Sequence, residues 1–339
     1  MWQPESYYWW RSGNAWNSIL DYMTLTGDTT YKSDLLTAIS KDVGPNLDFV
    51  SPRQFYWEAN DDQLWWSFVA LTALEYNFDP LPCVASNVTY SKCANSWLAL
   101  VTNAFDVFVK RWNSAASTCG GGLRWQINAN SSGFFYKNAI SNGHFFQLSA
   151  RLARYTGNET YAEWATKIWN WSEDIGVISP TYRVYDGVSD ANGTNCSDLN
   201  VDEWSYNVAT YMHGAANMYQ YSAGDSSLWE MRVKGLLANA QRTFFGPTSR
   251  TPKIILSRWM GKTAVLVPAV SDEIDHLLKL NAVAAAATCN GYNKSTCGMK
   301  WYTYAFDNQS DFCLELSALD IVQSLLLPRN AQRPGSLMR

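Results

Sequence analysis

Two consecutive aspartates have the clearest capacity for chemistry in this 339-residue chain. Asp61 and Asp62 stand in the segment Asn60-Asp61-Asp62-Gln63, directly before the apolar run LWWSFVALTALEY. Two neighbouring carboxyl groups are the minimum equipment for hydrolysing a glycosidic bond, about 5 to 5.5 Å apart in retaining enzymes and about 6.5 to 9.5 Å apart in inverting ones. Since consecutive Cα atoms lie about 3.8 Å apart, adjacent aspartates fit the retaining geometry more easily.

A structural role competes with this interpretation. Acidic residues in the first turn of a helix cap its free N–H groups and compensate its dipole. The apolar run after Asp62 predicts such a helix, so the pair taken alone would be assigned to capping. The flanking aromatic residues Tyr56, Trp57, Trp65 and Trp66 favour a sugar site instead.

Other catalytic motifs are weak. The three histidines, His144, His213 and His276, lack HExxH spacing, and the sequence has no G-x-S-x-G elbow. The glycines at 120–122 are not followed by Gly-Lys-Ser/Thr, so they predict a tight loop rather than a phosphate site. We expect no metal and no cofactor, because acid/base glycosidase chemistry needs only carboxylates and water.

The composition excludes several partners and suggests another. Hydrophobic residues make up 47% of the chain and charged residues 17%, which predicts a folded protein. The net charge of −4 argues against nucleic acid or an anionic membrane as partner. The 17 Trp, 19 Tyr and 14 Phe lie largely beside Asn, Gln, Asp or Ser, a mixture that suits the apolar faces and hydroxyls of sugars. Large aromatics also fill helix interfaces, so a single Trp does not decide the matter.

Cysteines and glycosylation sequons indicate a secretory route. The seven cysteines include no CxxC pair, which favours disulfides over zinc. We expect Cys83 to pair with Cys93 and Cys289 with Cys297, because each pair closes a short polar loop, although other connectivities stay open. The N-x-S/T sequons predict glycosylation at Asn87, Asn130, Asn158, Asn170, Asn192, Asn195, Asn293 and Asn308.

The ends of the chain bear on its location. The start MWQPESYYWW lacks the features of a signal peptide, and the end LPRNAQRPGSLMR has no hydrophobic anchor tail. No apolar run reaches the roughly 18 residues of a membrane span. We therefore expect a secreted or cell-surface protein whose signal was trimmed, or a fragment of one. A cytoplasmic protein with chance sequons is the alternative.

Helical periodicity dominates the chain, and strand alternation is scarce. In the segments LTGDTTY (25–31), YTGNETY (155–161) and SAGDSSL (222–228), glycine can end one helix and Asp or Asn can begin the next. Their spacing predicts five or six helical hairpins, which must stack or close into a ring to bury both faces. Long Asn-, Gly- and Trp-rich loops favour a closed toroid, and we expect one domain over residues 1–339.

The ordered motifs resemble glycoside hydrolase family 76. They are YWEANDDQLWWSFVALTALEY (56–76), CGGGLRWQ (119–126), YKNAISNGHFFQLSARLARYTGN (136–158), VYDG (184–187) and WSYNVATYMHGAANMY (204–219). The resemblance runs from about residue 7 to about residue 327 and leaves 328–339 as a tail. It implies an all-α (α/α)6 barrel, and activity on α-1,6-linked mannan or on the mannose core of GPI anchors in fungal cell walls. It further implies retention, with Asp61 as nucleophile and Asp62 as general acid/base.

The resemblance also implies a set of sugar contacts: Asn60, Trp125, Gln126, Lys137, Asn138, Asp186, Tyr206 and Asn207. The aromatic pattern adds Trp66, although its apolar helix could equally place it in the core. Structural alternatives exist for the others, since Lys137 could be a solvated loop charge, Asp186 a turn residue and Asn207 a helix cap. The chain departs from the family pattern at Arg11, where Glu or Gln is expected after Tyr-Trp-Trp.

The sequence thus predicts a monomeric retaining mannan endo-1,6-α-mannosidase acting on α-mannan or a GPI-core glycan. One alternative keeps the fold and the aspartates but transfers the glycosyl unit to another glycan, attaching cell-wall proteins. The other is a non-catalytic glycan-binding protein on the same scaffold. The intact Asp61-Asp62 pair argues against that last possibility.

Overall fold

Helices account for most of the structure. The computed structural model describes residues 8–52, 54, 57–79, 96–191, 196–223, 227–245 and 255–328. Its α-helices are α1 (Trp9–Thr26), α2 (Lys32–Asp42), α3 (Asn60–Glu75), α4 (Trp97–Ser114), α5 (Ala139–Thr156), α6 (Glu159–Asp174), α7 (Ser205–Tyr221), α8 (Ser227–Phe244), α9 (Leu256–Leu266), α10 (Ser271–Ala287), α11 (Tyr292–Ser295) and α12 (Phe312–Gln323). None of these helices is long and apolar enough to cross a membrane.

Six helices form a closed inner ring. Helix α1 packs on α3, α3 on α5, α5 on α7, α7 on α9, α9 on α12, and α12 back on α1. Helices α2, α4, α6, α8 and α10 lie outside, each against the inner helix that precedes it. This confirms the predicted (α/α)6 barrel, with five hairpins complete in the described ranges and the sixth represented by α12.

Burial explains which helices are inside. Helix α5 is buried without interruption from Ala139 to Ala153, and α3 is buried except at Asp61, Asp62 and Leu74. Outer helices such as α4 bury a single stripe of apolar residues. A helix surrounded by neighbours needs apolar or small residues on nearly every face, whereas a surface helix needs one apolar side.

Two of the predicted hairpin turns are confirmed. Gly27 and Gly157 end α1 and α5 in the left-handed conformation, with φ of 77° and 70°. Asn158 then caps α6 by accepting a hydrogen bond from the backbone N–H of Thr160. The third turn lies partly outside the described residues. Because outer helices return the chain, the inner helices run in one direction and begin at one face, which we call the site face.

A small sheet lies at the site face. Strands β1 (Tyr136–Asn138), β2 (Tyr185–Ser189) and β3 (Leu199–Glu203) pair antiparallel in the order β1-β2-β3. The register places Val188 opposite both Lys137 and Leu199. Since β1 leads directly into α5 and β3 into α7, the sheet fixes how both helices begin.

The disulfides differ in part from the prediction. Cys289 and Cys297 are bonded, as predicted. Cys119 pairs with Cys196 across 77 residues. This bond was not predicted, because the pairing signal in the sequence came from cysteines that close short loops. The predicted Cys83–Cys93 pair lies outside the described residues.

An ionic network is buried at the opposite end of the barrel. The Glu75 carboxylate accepts hydrogen bonds from Arg151 and Arg154, each 2.8 Å from an oxygen of Glu75. Four further charges join this network through the pairs Lys262–Asp21 and Arg258–Asp320, each at 2.7 Å. These contacts connect five of the six inner helices. Directional ion pairs of this kind oppose sliding of one helix along another.

Candidate active site

Asp61 and Asp62 lie in the first turn of α3 at the site face, and both are partly exposed. Ala59 is extended and forms an antiparallel bridge with Gln126. Its N–H donates to Oδ2 of Asp62 at 2.9 Å, so Asp62 caps the helix as the structural interpretation required. Capping also fixes one oxygen of this carboxyl, so the structural role and a catalytic role are compatible.

Helix α5 supplies the partners of Asp61. The Ser141 hydroxyl donates to Oδ1 of Asp61 at 2.9 Å, and Asn138 accepts the backbone N–H of Ser141 as the cap of α5. Burial raises the pKa of Asp61 to about 6, even though hydrogen bonds from Ser141 and Asn138 favour the ionised form. The negative charge of Asp186 contributes a smaller increase.

The two carboxyls differ in their readiness to ionise. Burial, followed by the negative charge of Asp61, raises the pKa of Asp62 well above its usual range. Asp61 alone has hydroxyl and amide donors that stabilise its anion. Asp61 is therefore the better nucleophile and Asp62 the better proton donor, which is the division of labour that two-carboxylate glycosidases need.

The sheet and α7 place aromatic and acidic groups beside the pair. The Tyr136 hydroxyl donates to Oδ2 of Asp186 at 2.7 Å. Burial raises the pKa of Tyr206, and the negative charges of Asp186 and Asp61 raise it further, so these side chains share one neighbourhood. The Trp204 ring stacks on Tyr206 with centroids 6.0 Å apart and remains 47% exposed.

Trp125 lies on a loop that is tied to the catalytic turn. Its carbonyl accepts the N–H of Asn60 at 2.9 Å, and its own N–H donates to the carbonyl of Tyr136. The ring is 37% exposed and packs over Gly133, where φ is +87° and a Cβ would meet the ring at 2.6 Å. The neighbouring Gln126 is also partly exposed. Both residues can therefore face a ligand.

Several predicted sugar contacts are buried in this structure. Trp66 is 1% exposed, and its ring stacks on Trp9 in the core. Lys137 is fully buried, with Nζ donating to three backbone carbonyls. Asn60 is 2% exposed, and its amide bonds Arg111 and the carbonyl of Arg124. These residues lie beneath the exposed side chains of the site, where they pack or hydrogen-bond to the surrounding helices and loops.

The remaining predicted positions differ in their burial and in their distance from the carboxyl pair. Asn138 lies next to Asp61, whereas Asn207 is completely buried with both amide atoms unpartnered. Arg11 places its guanidinium over the rings of Tyr8 and Trp10, at 5.3 and 5.7 Å from the centroids. The aromatic environment explains how a cation is tolerated there.

Sequence reasoning missed Ser141, Tyr136 and Trp204. Ser141 could have been found, because Asn138 predicts an N-cap and the residue three positions later faces the same end of the helix. Tyr136 and Trp204 carry no such signal, since their roles depend on strand pairing between distant segments.

A helical barrel with two unequal carboxyls at its mouth, bordered by exposed tryptophans, defines a glycosidase of the two-carboxylate class. The chain belongs to glycosyl hydrolase family 76, whose family model matches residues 1–336. Mannan endo-1,6-α-mannosidase DCW1 of Saccharomyces cerevisiae is 37% identical over 337 residues, covering 94% of this chain and 72% of that protein. Mannan endo-1,6-α-mannosidase DFG5 of the same yeast is 37% identical over 341 residues, with 95% and 71% covered.

Solved structures agree with the fold. Dfg5 from Chaetomium thermophilum, in complex with glucosamine, matches with a TM-score of 0.85 at 34% identity, covering 98% of this chain and 86% of that one. An α-1,6-mannanase of Salegentibacter sp. HEL1_6 matches with a TM-score of 0.72 at 17% identity, covering 95% and 90%. That structure is an inactive variant with two consecutive aspartates replaced by alanine, bound to α-1,6-mannotetrose.

Proposed function

We propose that this glycosidase is a retaining mannan endo-1,6-α-mannosidase with Asp61 as nucleophile and Asp62 as general acid/base. The observation that carries the proposal is the unequal environment of two adjacent carboxyls, one held by Ser141 and the other by the N–H of Ala59. The names of the yeast relatives support the substrate, and the inactive double-aspartate variant of the bacterial mannanase supports the catalytic pair.

The proposed reaction has two steps. The Asp61 carboxylate attacks the anomeric carbon, while protonated Asp62 gives its proton to the departing glycosidic oxygen. Asp62, now ionised, takes a proton from water, whose oxygen displaces Asp61 from the glycosyl-enzyme ester. Ser141 and Asn138 orient Asp61 for attack, and Trp125, Trp204 and Tyr206 provide faces for the sugar rings.

Neutralising each aspartate separately tests the two roles. Asp61→Asn should abolish cleavage of linear α-1,6-mannan, whereas Asp62→Asn should still use substrates with good leaving groups. Azide added to Asp62→Asn should then give a glycosyl azide of retained α configuration. Asp272→Asn is the matched control, because Asp272 occupies the first turn of α10 but is exposed. A β-configured first product from the wild type, seen by NMR, would falsify retention, and full activity in Asp61→Asn would leave the pair with capping alone.

Glycosyl transfer is the second candidate. The Chaetomium relative was crystallised with an amino sugar, glucosamine. This favours recognition of a glycan that contains an amino sugar in addition to mannose. Product analysis by mass, on mannan and on a GPI-core glycan with and without an acceptor sugar, separates the two activities. Growth of an acceptor adduct at the expense of hydrolysis would favour transfer.

We also infer a secreted or cell-wall location. Disulfides Cys119–Cys196 and Cys289–Cys297 support an oxidising compartment, and the sequon residues Asn130, Asn158, Asn170 and Asn308 are exposed. The sequons at Asn87, Asn192 and Asn195 lie outside the described residues, as does the side chain of Asn293. Peptide mapping of secreted protein for glycans and free thiols checks this inference.

A further inference from the structure

A guanidinium from the outer ring reaches the catalytic turn. Arg111 belongs to α4, yet its Nη1 donates to Oδ1 of Asn60 at 2.8 Å and to Oε1 of Gln63 at 2.6 Å. These two residues flank the aspartates on either side in the sequence. Resting on the function proposed above, we propose that Arg111 is a positioning residue that holds the first turn of α3, and with it both catalytic carboxyls, in the orientation glycoside hydrolysis requires.

Both amides that Arg111 binds are anchored at their other ends. Nδ2 of Asn60 donates to the carbonyl of Arg124 at 2.7 Å, and Nε2 of Gln63 donates to the carbonyl of Asp48 at 2.6 Å. A cation accepts no hydrogen bond, so Arg111 also fixes which way each amide is turned. The turn therefore has little freedom to rotate its carboxyls.

The same contacts connect the turn to the sugar-facing loop. Asn60 bonds both Arg124 and Trp125 through their carbonyls, and Trp125 is one of the exposed rings beside the carboxyls. Arg111 therefore holds the junction between the acid/base turn and an aromatic ring that can bind sugar. A shift of this junction by about 1 Å can reduce turnover by about 100-fold.

Charge adds a second effect. The two partners of Arg111 are neutral amide oxygens, while the carboxyls of Glu58 and Asp48 lie in its electrostatic neighbourhood. Glu58 is 2% exposed with both oxygens unpartnered, and burial raises its pKa to about 9 despite the opposing charge of Arg111. The charge of Arg111 acts on Glu58 and Asp48, and its link to Asp61 and Asp62 is through the bonded amides of Asn60 and Gln63.

The titratable groups that interact with the catalytic pair are Glu58, His144, Asp186 and Tyr206. Burial lowers the pKa of His144 well below its usual range and keeps it neutral. Removing the charge of Arg111 favours the protonated forms of Glu58 and Asp48. The pH–rate profile is set by Asp61 and Asp62, so its limbs should stay in place while its height falls.

Two substitutions separate geometry from charge. Arg111→Lys keeps the charge but cannot bridge both amides with a planar fork, whereas Arg111→Met removes charge and bonds. We expect kcat to fall about 10- to 100-fold in both variants with KM within about threefold, because the hydrogen bonds of Arg111 orient Asn60 and Gln63 around the catalytic pair. Neither variant should shift the pH profile. Lys110→Met, one residue earlier and exposed, is the matched control and should resemble wild type.

A measurement independent of turnover completes the test. Amide hydrogen exchange in the first turn of α3 should be faster in Arg111→Met than in Lys110→Met or wild type, because the turn loses the bonds to Asn60 and Gln63. Unchanged kcat in a folded Arg111→Met variant, or a loss expressed in KM alone, would overturn the positioning role. Inactivity of the wild type on mannan would count against the proposed function, and the exchange measurement would still decide the role of Arg111.

Discussion

Asp61 and Asp62 are neighbours in one helical turn and share nearly the same backbone conformation. The differences between their two carboxyl groups therefore arise from side-chain contacts. Ser141 donates to Asp61 from another helix, whereas Asp62 turns back to the N–H of Ala59. Both carboxyls have raised pKa values, which means that burial opposes the charges that catalysis uses. A site of this kind lowers the stability of the fold at neutral pH.

Asp61→Asn should therefore stabilise the protein at pH 7. The folded pKa of about 6 exceeds the ordinary aspartate pKa of 3.8, so the native state binds more protons and loses stability as pH rises from 3.8 through 6. An asparagine removes this penalty, which is at most about 3 kcal/mol at about 1.4 kcal/mol per pKa unit. Thermal unfolding at pH 7 and pH 4 checks it: the gain should shrink at pH 4, and a lower Tm at pH 7 would contradict the sign. Asp272→Asn serves again as the exposed control.

The tryptophans near the site divide into exposed and core residues. Trp125→Ala and Trp204→Ala should weaken glycan binding with little change in Tm, because both rings are substantially exposed. Trp66→Ala should instead lose about 3 to 5 kcal/mol of stability, the cost of removing a large buried aromatic ring. Calorimetric binding to a mannan oligosaccharide, paired with thermal melts, separates the two groups. Equal destabilisation by all three changes would place Trp125 and Trp204 in the core.

At the scale of elements, the wall of the site is a loop and a three-stranded sheet held by a buried cation and a disulfide. Nζ of Lys137 donates to the carbonyls of Ala115, Thr118 and Gly121 at 2.5 to 3.0 Å. Lys137 stands between Tyr136, which bonds Asp186, and Asn138, which caps α5. Its role is to keep the loop at 115–121 against β1.

Lys137→Met should loosen this wall. Three carbonyls lose their donor, and unsatisfied buried groups cost about 1 to 3 kcal/mol each before water enters. We expect a clear fall in Tm and faster hydrogen exchange at residues 115–121, with α9 and α12 unaffected. Lys167→Met removes an exposed lysine and should change neither quantity. Protection of the loop equal to wild type would show that the disulfide alone holds it.

At the scale of the whole molecule, the two ends of the barrel respond oppositely to pH. Burial alone would raise the pKa of Glu75, but the charges of Arg151 and Arg154 outweigh it and lower the pKa to about 2. The stability from Glu75 is then fully present above the ordinary glutamate pKa of 4.5 and is lost as pH falls toward 2. The site carboxyls weaken the fold as pH rises, so the two ends together favour maximal stability at mildly acidic pH.

Glu75→Gln tests the lower network. Arg151 and Arg154 would lose their carboxylate partner while remaining buried, which typically costs about 3 to 5 kcal/mol. The deficit should be largest near neutral pH and should narrow below pH 4, where wild-type Glu75 begins to lose its advantage. Melting curves from pH 2.5 to 7 measure it, with Glu230→Gln on outer helix α8 as control. A deficit independent of pH would assign Glu75 to packing rather than to charge.

Local signals in the sequence were sufficient for the helices, for the turns at Gly27 and Gly157, and for Asp61 and Asp62 as the candidate pair. Each depends on residues within one or two helical turns of one another, so spacing along the chain carries the information. The Cys289–Cys297 disulfide was predictable for the same reason. The loop composition favoured a closed toroid, the family resemblance specified the (α/α)6 barrel, and the described inner ring confirms it.

Only the tertiary structure decided which polar residues are exposed at the site face and which are buried behind it. Lys137 and Asn60 are polar residues in sequence segments that predict loops, yet Lys137 is enclosed by partners 16 to 22 residues away and Asn60 by partners 51 to 64 residues away. Ser141, Arg111 and the Cys119–Cys196 bond reach the site through the ring closure and strand pairing. Burial and hydrogen bonding are properties of this assembled neighbourhood, and they set the protonation of Asp61 and Asp62 because no local pattern fixes the field around a charge.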